Sequence, residues 1–226
     1  MEAQKPLRIH GVVTCGGEHE PFILGIKQAL HWLKEAGCAA PTIALNFSPE
    51  FPPSGQSPPA DIVMISFLGD VPANHEDFET MAGGWRRQVA EFIAASDALV
   101  FLCTVFRHVA PGSHGHDRVM ALRERIRRIN LLVAELSQST GAYVIDIDSA
   151  LAHIGGDRLQ SDFSLTGRLG APAAGDIIAS ALLAEGFEGC APADGVARAI
   201  ALHGGRRGVF KRLNHATMAR VFHGAA

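Results

Sequence analysis

Cysteine is scarce in this chain, and its four copies, Cys15, Cys38, Cys103 and Cys190, are widely spaced with no C-x-x-C pair. That pattern argues against a disulfide framework and against a zinc knuckle, and it is typical of proteins in a reducing compartment. The chain also lacks any run approaching the roughly 18 uncharged apolar residues that a spanning helix needs. Residues 1–7 contain no apolar run of signal-peptide length. We therefore expect a cytoplasmic protein.

Three motifs that mark common active sites are absent. The segment after the first predicted strand, Thr14-Cys15-Gly16-Gly17-Glu18-His19, does not have the G-x-G-x-x-G spacing of a dinucleotide site. No Walker A lysine motif and no G-x-S-x-G nucleophile elbow occurs. We therefore expect neither a nucleotide cofactor nor any other cofactor.

Histidines cluster in one predicted loop, where His108, His114 and His116 precede Asp117. These side chains are of metal-ligating types, but the loop is rich in glycine and polar residues, and surface histidines in such loops are common. We expect no metal site here.

Acidic residues are missing from the end of the chain. From Val196 onward there are six basic residues and no acidic one, whereas the preceding part carries 14 basic against 23 acidic side chains. A basic tail on an acidic body indicates an interaction segment, and docking on the protein's own body is the simplest interpretation. The alternatives are a protein partner or an anionic membrane surface. Because the body is acidic, we do not expect nucleic-acid binding.

Apolar residues make up 47% and charged residues 19% of the chain, which is typical of a globular protein with a sizeable core. Strand patterns alternate with helix patterns along residues 7–186, and two of the strands are continuous apolar runs, typical of strands buried on both faces. The predicted strands are 7–15, 41–47, 61–68, 97–106 and 142–147, and the predicted helices are 21–36, 76–95, 118–139 and 171–184. This order predicts a three-layer αβα sandwich around a five-stranded parallel sheet, of the flavodoxin-like type. We expect one domain over residues 1–186, then a linker and the basic tail over 187–226.

In such sheets, ligands bind beyond the carboxyl ends of the strands. The predicted elements place five segments there: residues 14–19, 46–57, 69–75, 106–117 and 146–166. We expect the functional site among them.

The order and spacing of several segments resemble the SGNH/GDSL hydrolase family. The run from Asp61 to Gly69 is similar to the family's third strand, and Asn130 lies on a helix where the family often carries an asparagine. Residues 144–148 resemble the fifth strand, and Asp162-Phe163-Ser164-Leu165 resembles the last block, in which Asp-x-x-His precedes a helix. The resemblance covers residues 7–186.

The resemblance implies acyl-ester chemistry, in which a nucleophile attacks a carbonyl, a histidine takes its proton, and backbone amides with an Asn side chain hold the oxyanion. The family's Gly-Asp-Ser is replaced by Val13-Thr14-Cys15 or by Thr14-Cys15-Gly16, which makes Cys15 the candidate nucleophile. Gly16, Gly69 and Asn74 are the candidate oxyanion or substrate-binding residues. The family's histidine aligns with Leu165 or Ser164. Asp162 and His108, which follows the fourth strand and could reach the pocket, are the other candidate catalytic residues, and His19 could serve as the partner of Cys15.

Two classes of function follow from these departures. The first is an esterase or O-acyltransferase acting on a saccharide or a small ester with an altered set of catalytic residues. The second is a catalytically inactive relative that binds a saccharide or a protein as an accessory. The resemblance suggests a setting in bacterial exopolysaccharide synthesis, including that of cellulose.

Overall fold

The computed structural model describes residues 5–14, 18–52, 60–72, 77–110, 115–166 and 168–203. Five strands form one sheet: β1 (Leu7–Val12), β2 (Ile43–Ser48), β3 (Ile62–Ser66), β4 (Leu99–Cys103) and β5 (Tyr143–Ile145). Their order across the sheet is β2-β1-β3-β4-β5, and every neighbouring pair is parallel. The predicted parallel α/β architecture is confirmed.

The central strands are apolar on both faces, as their unbroken apolar sequence indicates. In β3, Ile62 and Met64 enter one layer of the core, while Val63 and Ile65 enter the other. All four side chains are fully buried. Because side chains alternate along a strand, a single strand of this kind joins the two helical layers into one domain.

Seven α-helices are described: α1 (His19–Glu35), α2 (Phe78–Ala95), α3 (His116–Thr140), α4 (Ile147–Ile154), α5 (Gly156–Leu159), α6 (Gly170–Ala181) and α7 (Ala193–His203). The first core layer contains buried residues of α1, α4, α6 and α7. The second contains those of α2 and α3. This is the predicted three-layer sandwich, and α3 ends where the sequence predicts, at Gly141, whose φ of +79° lies in the left-handed region that favours glycine.

The structure differs from the prediction at the fifth strand. β5 ends at Ile145, and Asp146 caps α4 by accepting a hydrogen bond from the Ser149 backbone N–H at 2.9 Å. The predicted strand therefore extended too far, because apolar residues at its end belong to the buried face of a helix. Helices α4 and α5 occupy the segment that the sequence placed as an open rim loop.

The segment after α6 continues as a π-helical turn (Leu182–Gly186) and then α7. Phe187 is fully buried, and α7 lies on α1, where the His203 and Trp32 rings stack with centroids 5.5 Å apart. The division into a domain ending at residue 186 and a linker with a tail stays a prediction. Most of the basic tail, including Arg206, lies outside the described residues.

Within the described ranges, no helix combines the length and the apolar character needed to cross a membrane.

Candidate functional site

The order of strands in the sheet indicates where a site can form. From β1 the chain crosses to β2 on one side of the sheet, and β3 then pairs with β1 on the other side. A doubly wound sheet opens a crevice at such a switch point, beyond the carboxyl ends of the two diverging strands. Thr14 follows β1 at this edge, and Ser66 is the last residue of β3.

A buried carboxylate joins these two strand ends. Glu18 is 4% exposed. Its Oε2 accepts a hydrogen bond from the Thr14 backbone N–H at 2.9 Å, and its Oε1 accepts one from the Ser66 hydroxyl at 2.6 Å. Because a buried carboxylate is costly unless hydrogen bonds satisfy it, this contact fixes the geometry of the switch point.

A small cleft of about 30 Å³ lies beside Glu18. Its wall includes Cys103, Phe106 and Leu165 from three different segments. Burial, with the nearby charge of Glu18, raises the pKa of the Cys103 thiol far above its ordinary value. Cys103 is therefore a neutral thiol at physiological pH and is unsuited to act as a nucleophile.

Gly69 lies in a 3₁₀ turn (Leu68–Asp70) directly after β3. A Cβ at this position would overlap the Thr14 hydroxyl, so only glycine allows this approach of the two rim segments. The turn is held from outside by the Arg125 Nε, which donates to the Asp70 backbone oxygen at 2.6 Å, and by the Trp85 indole N–H, which donates to the Asp70 carboxylate at 3.1 Å. The candidate residue Gly69 thus lies at the switch point.

His108 and Asp162, which are far apart in sequence, line one groove of about 490 Å³. The Phe163 backbone N–H donates to the His108 backbone oxygen at 2.7 Å and holds the two loops together. A Cβ on Gly156 would overlap the imidazole of His108, so this glycine leaves room for the ring.

The Asp162 carboxylate is engaged within its own turn. Its Oδ1 accepts from the Ser164 backbone N–H at 3.0 Å and from the Ser164 hydroxyl. Leu165, at the position the resemblance gives to histidine, has a φ of +56° and packs against the core. A left-handed backbone at a residue other than glycine is uncommon, and such conformations cluster at functional sites.

A second polar cluster surrounds Asp148, which is 6% exposed. Its carboxylate accepts hydrogen bonds from the Arg107 backbone N–H and Nε, at 2.8 and 2.9 Å, and from the Asn130 side-chain amide at 3.1 Å. Asn130 also bonds both the N–H and the C=O of Val105, each at 2.8 Å. Bonding to Asp148 and attraction by its charge raise the pKa of Arg107.

Sequence reasoning singled out Asn130 but missed Glu18, Ser66, Arg107 and Asp148 as site residues. One signal was available for Glu18: a carboxylate inside the predicted rim segment 14–19, shortly before the predicted helix 21–36. Arg107 and Asp148 also lie inside predicted rim segments, but no local pattern pairs them, because they and Asn130 come from three separate segments.

Some of the remaining predicted residues lie within the described ranges and others do not. Cys15, Gly16 and Asn74 lie outside the described residues. His19 is described, and its ring packs edge-on against Phe47 with centroids 4.6 Å apart. Of the predicted metal-ligating types, His116 and Asp117 begin α3, and the described part of the chain contains no group of three side chains placed to hold a metal ion.

Comparison with known proteins gives structural likenesses only. No protein-family model matches the chain, and no curated protein matches it. Among solved structures, an alpha/beta hydrolase enzyme from the metagenome of Lake Arreo, Spain, superposes with a TM-score of 0.51 at 16% identity, covering 81% of this chain and 95% of that one. At that identity the likeness shows the fold alone.

Two further structures are similar at lower scores. A protein proposed to be an SGNH hydrolase, from Slackia heliotrinireducens, has a TM-score of 0.49 at 15% identity and covers 77% of this chain and 96% of its own. An acetylxylan esterase from Geobacillus stearothermophilus has a TM-score of 0.48 at 15% identity and covers 81% of this chain and 94% of its own. The fold that the described residues adopt is an α/β sandwich with a five-stranded parallel sheet.

Proposed function

We propose that this protein carries out acyl-ester chemistry at the switch point, as an esterase or O-acyltransferase acting on a saccharide or a small ester. The observation that carries the proposal is the buried Glu18 carboxylate bonded to Thr14 and Ser66. Thr14 and Glu18 directly flank residues 15–17, so this bond anchors both ends of the segment that contains Cys15. The crevice beyond β1 and β3 is also where this class of sheet binds its ligands.

In the proposed reaction, the Cys15 thiolate attacks the ester carbonyl carbon and a C–S bond forms. The backbone N–H groups of Gly16 and Gly69 and the Asn74 amide stabilise the negative oxygen. The C–O bond to the alcohol then breaks, and the leaving oxygen takes a proton from His108. Water or an acceptor hydroxyl, deprotonated by His108, attacks the thioester, and the C–S bond breaks to release the thiolate.

In this scheme Asp162, which lines the same groove as His108, is the second catalytic residue on that side of the site. The resemblance suggests that the reaction serves a cytoplasmic stage of exopolysaccharide synthesis, of the cellulose type. An acylated sugar would then be the acyl donor, or a sugar hydroxyl the acyl acceptor. The reaction itself requires no cofactor. Docking of the basic tail on a protein partner or an anionic membrane remains part of this proposal.

One observation favours the alternative, a non-catalytic protein that binds a saccharide or a protein partner. Leu165 packs as an apolar residue where the resemblance places a histidine, and Asp162 already accepts two hydrogen bonds from Ser164. A site without its general base loses about 10²- to 10⁴-fold in rate. Such a site retains its crevice and its capacity to bind.

The decisive experiment is an assay of the full chain with p-nitrophenyl acetate and with acetyl-CoA plus a saccharide acceptor. We expect turnover that falls to the background rate in Cys15→Ala and persists in Cys190→Ala. Cys190 is the matched control because it is a free, partly exposed cysteine away from the switch point. Wild-type and Cys15→Ala rates that are both at background would support the binding protein instead.

A further inference from the structure

A large cavity of about 740 Å³ opens between α3, α4 and the loop after β4. It is separate from the cleft beside Glu18, with which it shares Phe106 among its lining residues. Its size suits a metabolite rather than a single ion or a water molecule. Of its lining residues, the acyl-ester proposal uses only His108.

The charge of this cavity is strongly positive. Arg107, Arg123 and Arg127 line it, and Asp148 is the one carboxylate among the lining residues. Asp148 is neutralised by Arg107, whose Nη2 lies 2.7 Å from its Oδ2. Arg123 and Arg127 add two further positive charges at the cavity wall, and no lining carboxylate besides Asp148 offsets them.

Arg123 and Arg127 present these charges side by side. They are four residues apart on α3, which places them on the same face one turn apart. Arg127 has a carboxylate neighbour, Glu124, at 3.6 Å, but both side chains are largely exposed, 72% and 59%, so this pair is weak. An anion that bridges both guanidinium groups would outcompete it.

Arg107 is held rigidly at the opposite wall. Asp148 fixes its guanidinium through Nε and Nη2, and Asn130 fixes Asp148 in turn. The Arg107 side chain is nevertheless 65% exposed, and it lines the cavity, so a ligand can reach it. A donor that is already oriented loses little conformational freedom when a ligand binds.

We propose that this cavity binds a phosphate monoester. The charges of Arg123 and the weakly paired Arg127 match a phosphate dianion, and the planar arginine fork pairs with phosphate oxygens in bidentate fashion. Leu131, which is 60% exposed, and Ala152 supply an apolar wall for the uncharged remainder of the ligand. His108 is the one lining residue that the acyl-ester proposal also uses, and the arginines that carry this inference take no part in that chemistry.

The test is isothermal titration calorimetry of the full chain at low salt with glucose 6-phosphate and with adenosine 5′-monophosphate. We expect saturable binding of at least one of these two phosphate monoesters. Tighter binding of glucose 6-phosphate would indicate a phosphorylated sugar as the ligand, and tighter binding of adenosine 5′-monophosphate a nucleotide. Glucuronate, a carboxylate of similar size, and unmodified glucose are the comparison ligands. Raising the salt concentration is expected to weaken binding because charges dominate it.

The informative variant is Arg123→Gln/Arg127→Gln, in which affinity is expected to fall at least about tenfold through loss of charge-assisted hydrogen bonds. The matched control is Lys27→Gln/Arg87→Gln, which removes two positive charges from exposed positions on α1 and α2, away from the cavity. Circular dichroism of both variants checks folding.

Three results would overturn the inference: no binding of either phosphate, equal or tighter binding of glucuronate, or equal loss of affinity in the control variant. A failed esterase assay would leave it unaffected, since the two experiments use different residues and ligands.

Discussion

At the residue scale, the environment of Glu18 shows how one side chain organises the switch point. Its two carboxylate oxygens bond to groups that follow different strands, one on Thr14 and one on Ser66. A glutamate at a helix start is ordinarily solvated, but this one is 4% exposed. Glu18 thus ties Thr14 to Ser66, although it carries no proposed step of the reaction.

We predict that Glu18→Gln destabilises the protein by about 1–3 kcal/mol. The carboxylate accepts hydrogen bonds from the Thr14 N–H and the Ser66 hydroxyl, whereas the amide would place an N–H donor against one of them. Urea unfolding followed by circular dichroism measures this change. Glu91→Gln, at an exposed position in the middle of α2, is the control and should change the unfolding free energy by less than about 0.5 kcal/mol. Equal stability of the two variants would show that the Glu18 contacts contribute nothing.

At the element scale, the closest helix packing is between α1 and α6, where Gly25 and Gly175 face each other. A Cβ on Gly175 would lie 2.9 Å from the Leu24 Cβ and 3.2 Å from the Gly25 backbone nitrogen. Glycine at both positions lets the helix backbones approach closely over one face of the sheet. This packing holds α1, and hence the segment before it, against the core.

Gly175→Ala is expected to lower the unfolding free energy by about 1–3 kcal/mol, since the new methyl group overpacks this contact. Gly83→Ala makes the same chemical change in α2, where no heavy atom lies within 4 Å of the new Cβ. This substitution should raise the free energy of unfolding by about 0.5–1 kcal/mol. Denaturant midpoints at equal m-values measure both effects, and a shift of the same sign in both variants would refute the packing argument.

At the scale of the whole molecule, residues 187–203 pack on the same core as the predicted domain. Phe187 and Ala199 are fully buried, and the Arg198 Nε donates to the Ala36 backbone oxygen at 3.3 Å. α7 also helps to cover Trp32, which is 1% exposed. These contacts indicate that a chain ending at residue 186 would lose buried side chains of the core.

We predict that a chain ending at residue 203 unfolds at a clearly higher urea concentration than one ending at residue 186. The shorter chain exposes apolar surface on α1 and loses the Phe187 side chain. If the shorter chain does not fold, Phe187→Ala in the full chain provides the measurement, with an expected cost of about 3–5 kcal/mol. Equal unfolding midpoints for the two truncated chains would place the boundary at residue 186 after all.

The order of elements was accessible from sequence because each strand and long helix carries its own periodicity. Residues 62–65 are continuously apolar, and the structure buries β3 on both faces. α3 shows the same agreement, since its apolar residues recur at helical spacing and Gly141 ends it. The sequence analysis did not predict helices α4 and α7. Both are short, and their residues were assigned to a predicted strand, rim loop or linker instead.

The sequence by itself determined the layers of this protein, the parallel sheet and the edge of the sheet at which its loops meet. Those features follow from local periodicity and from the handedness of crossover connections. Only the tertiary structure decided that Glu18 bonds to Ser66, that Asp148 orients Arg107, and that His108 shares a groove with Asp162. Each of these contacts joins residues at least 41 positions apart, and no local pattern encodes a partner at that distance.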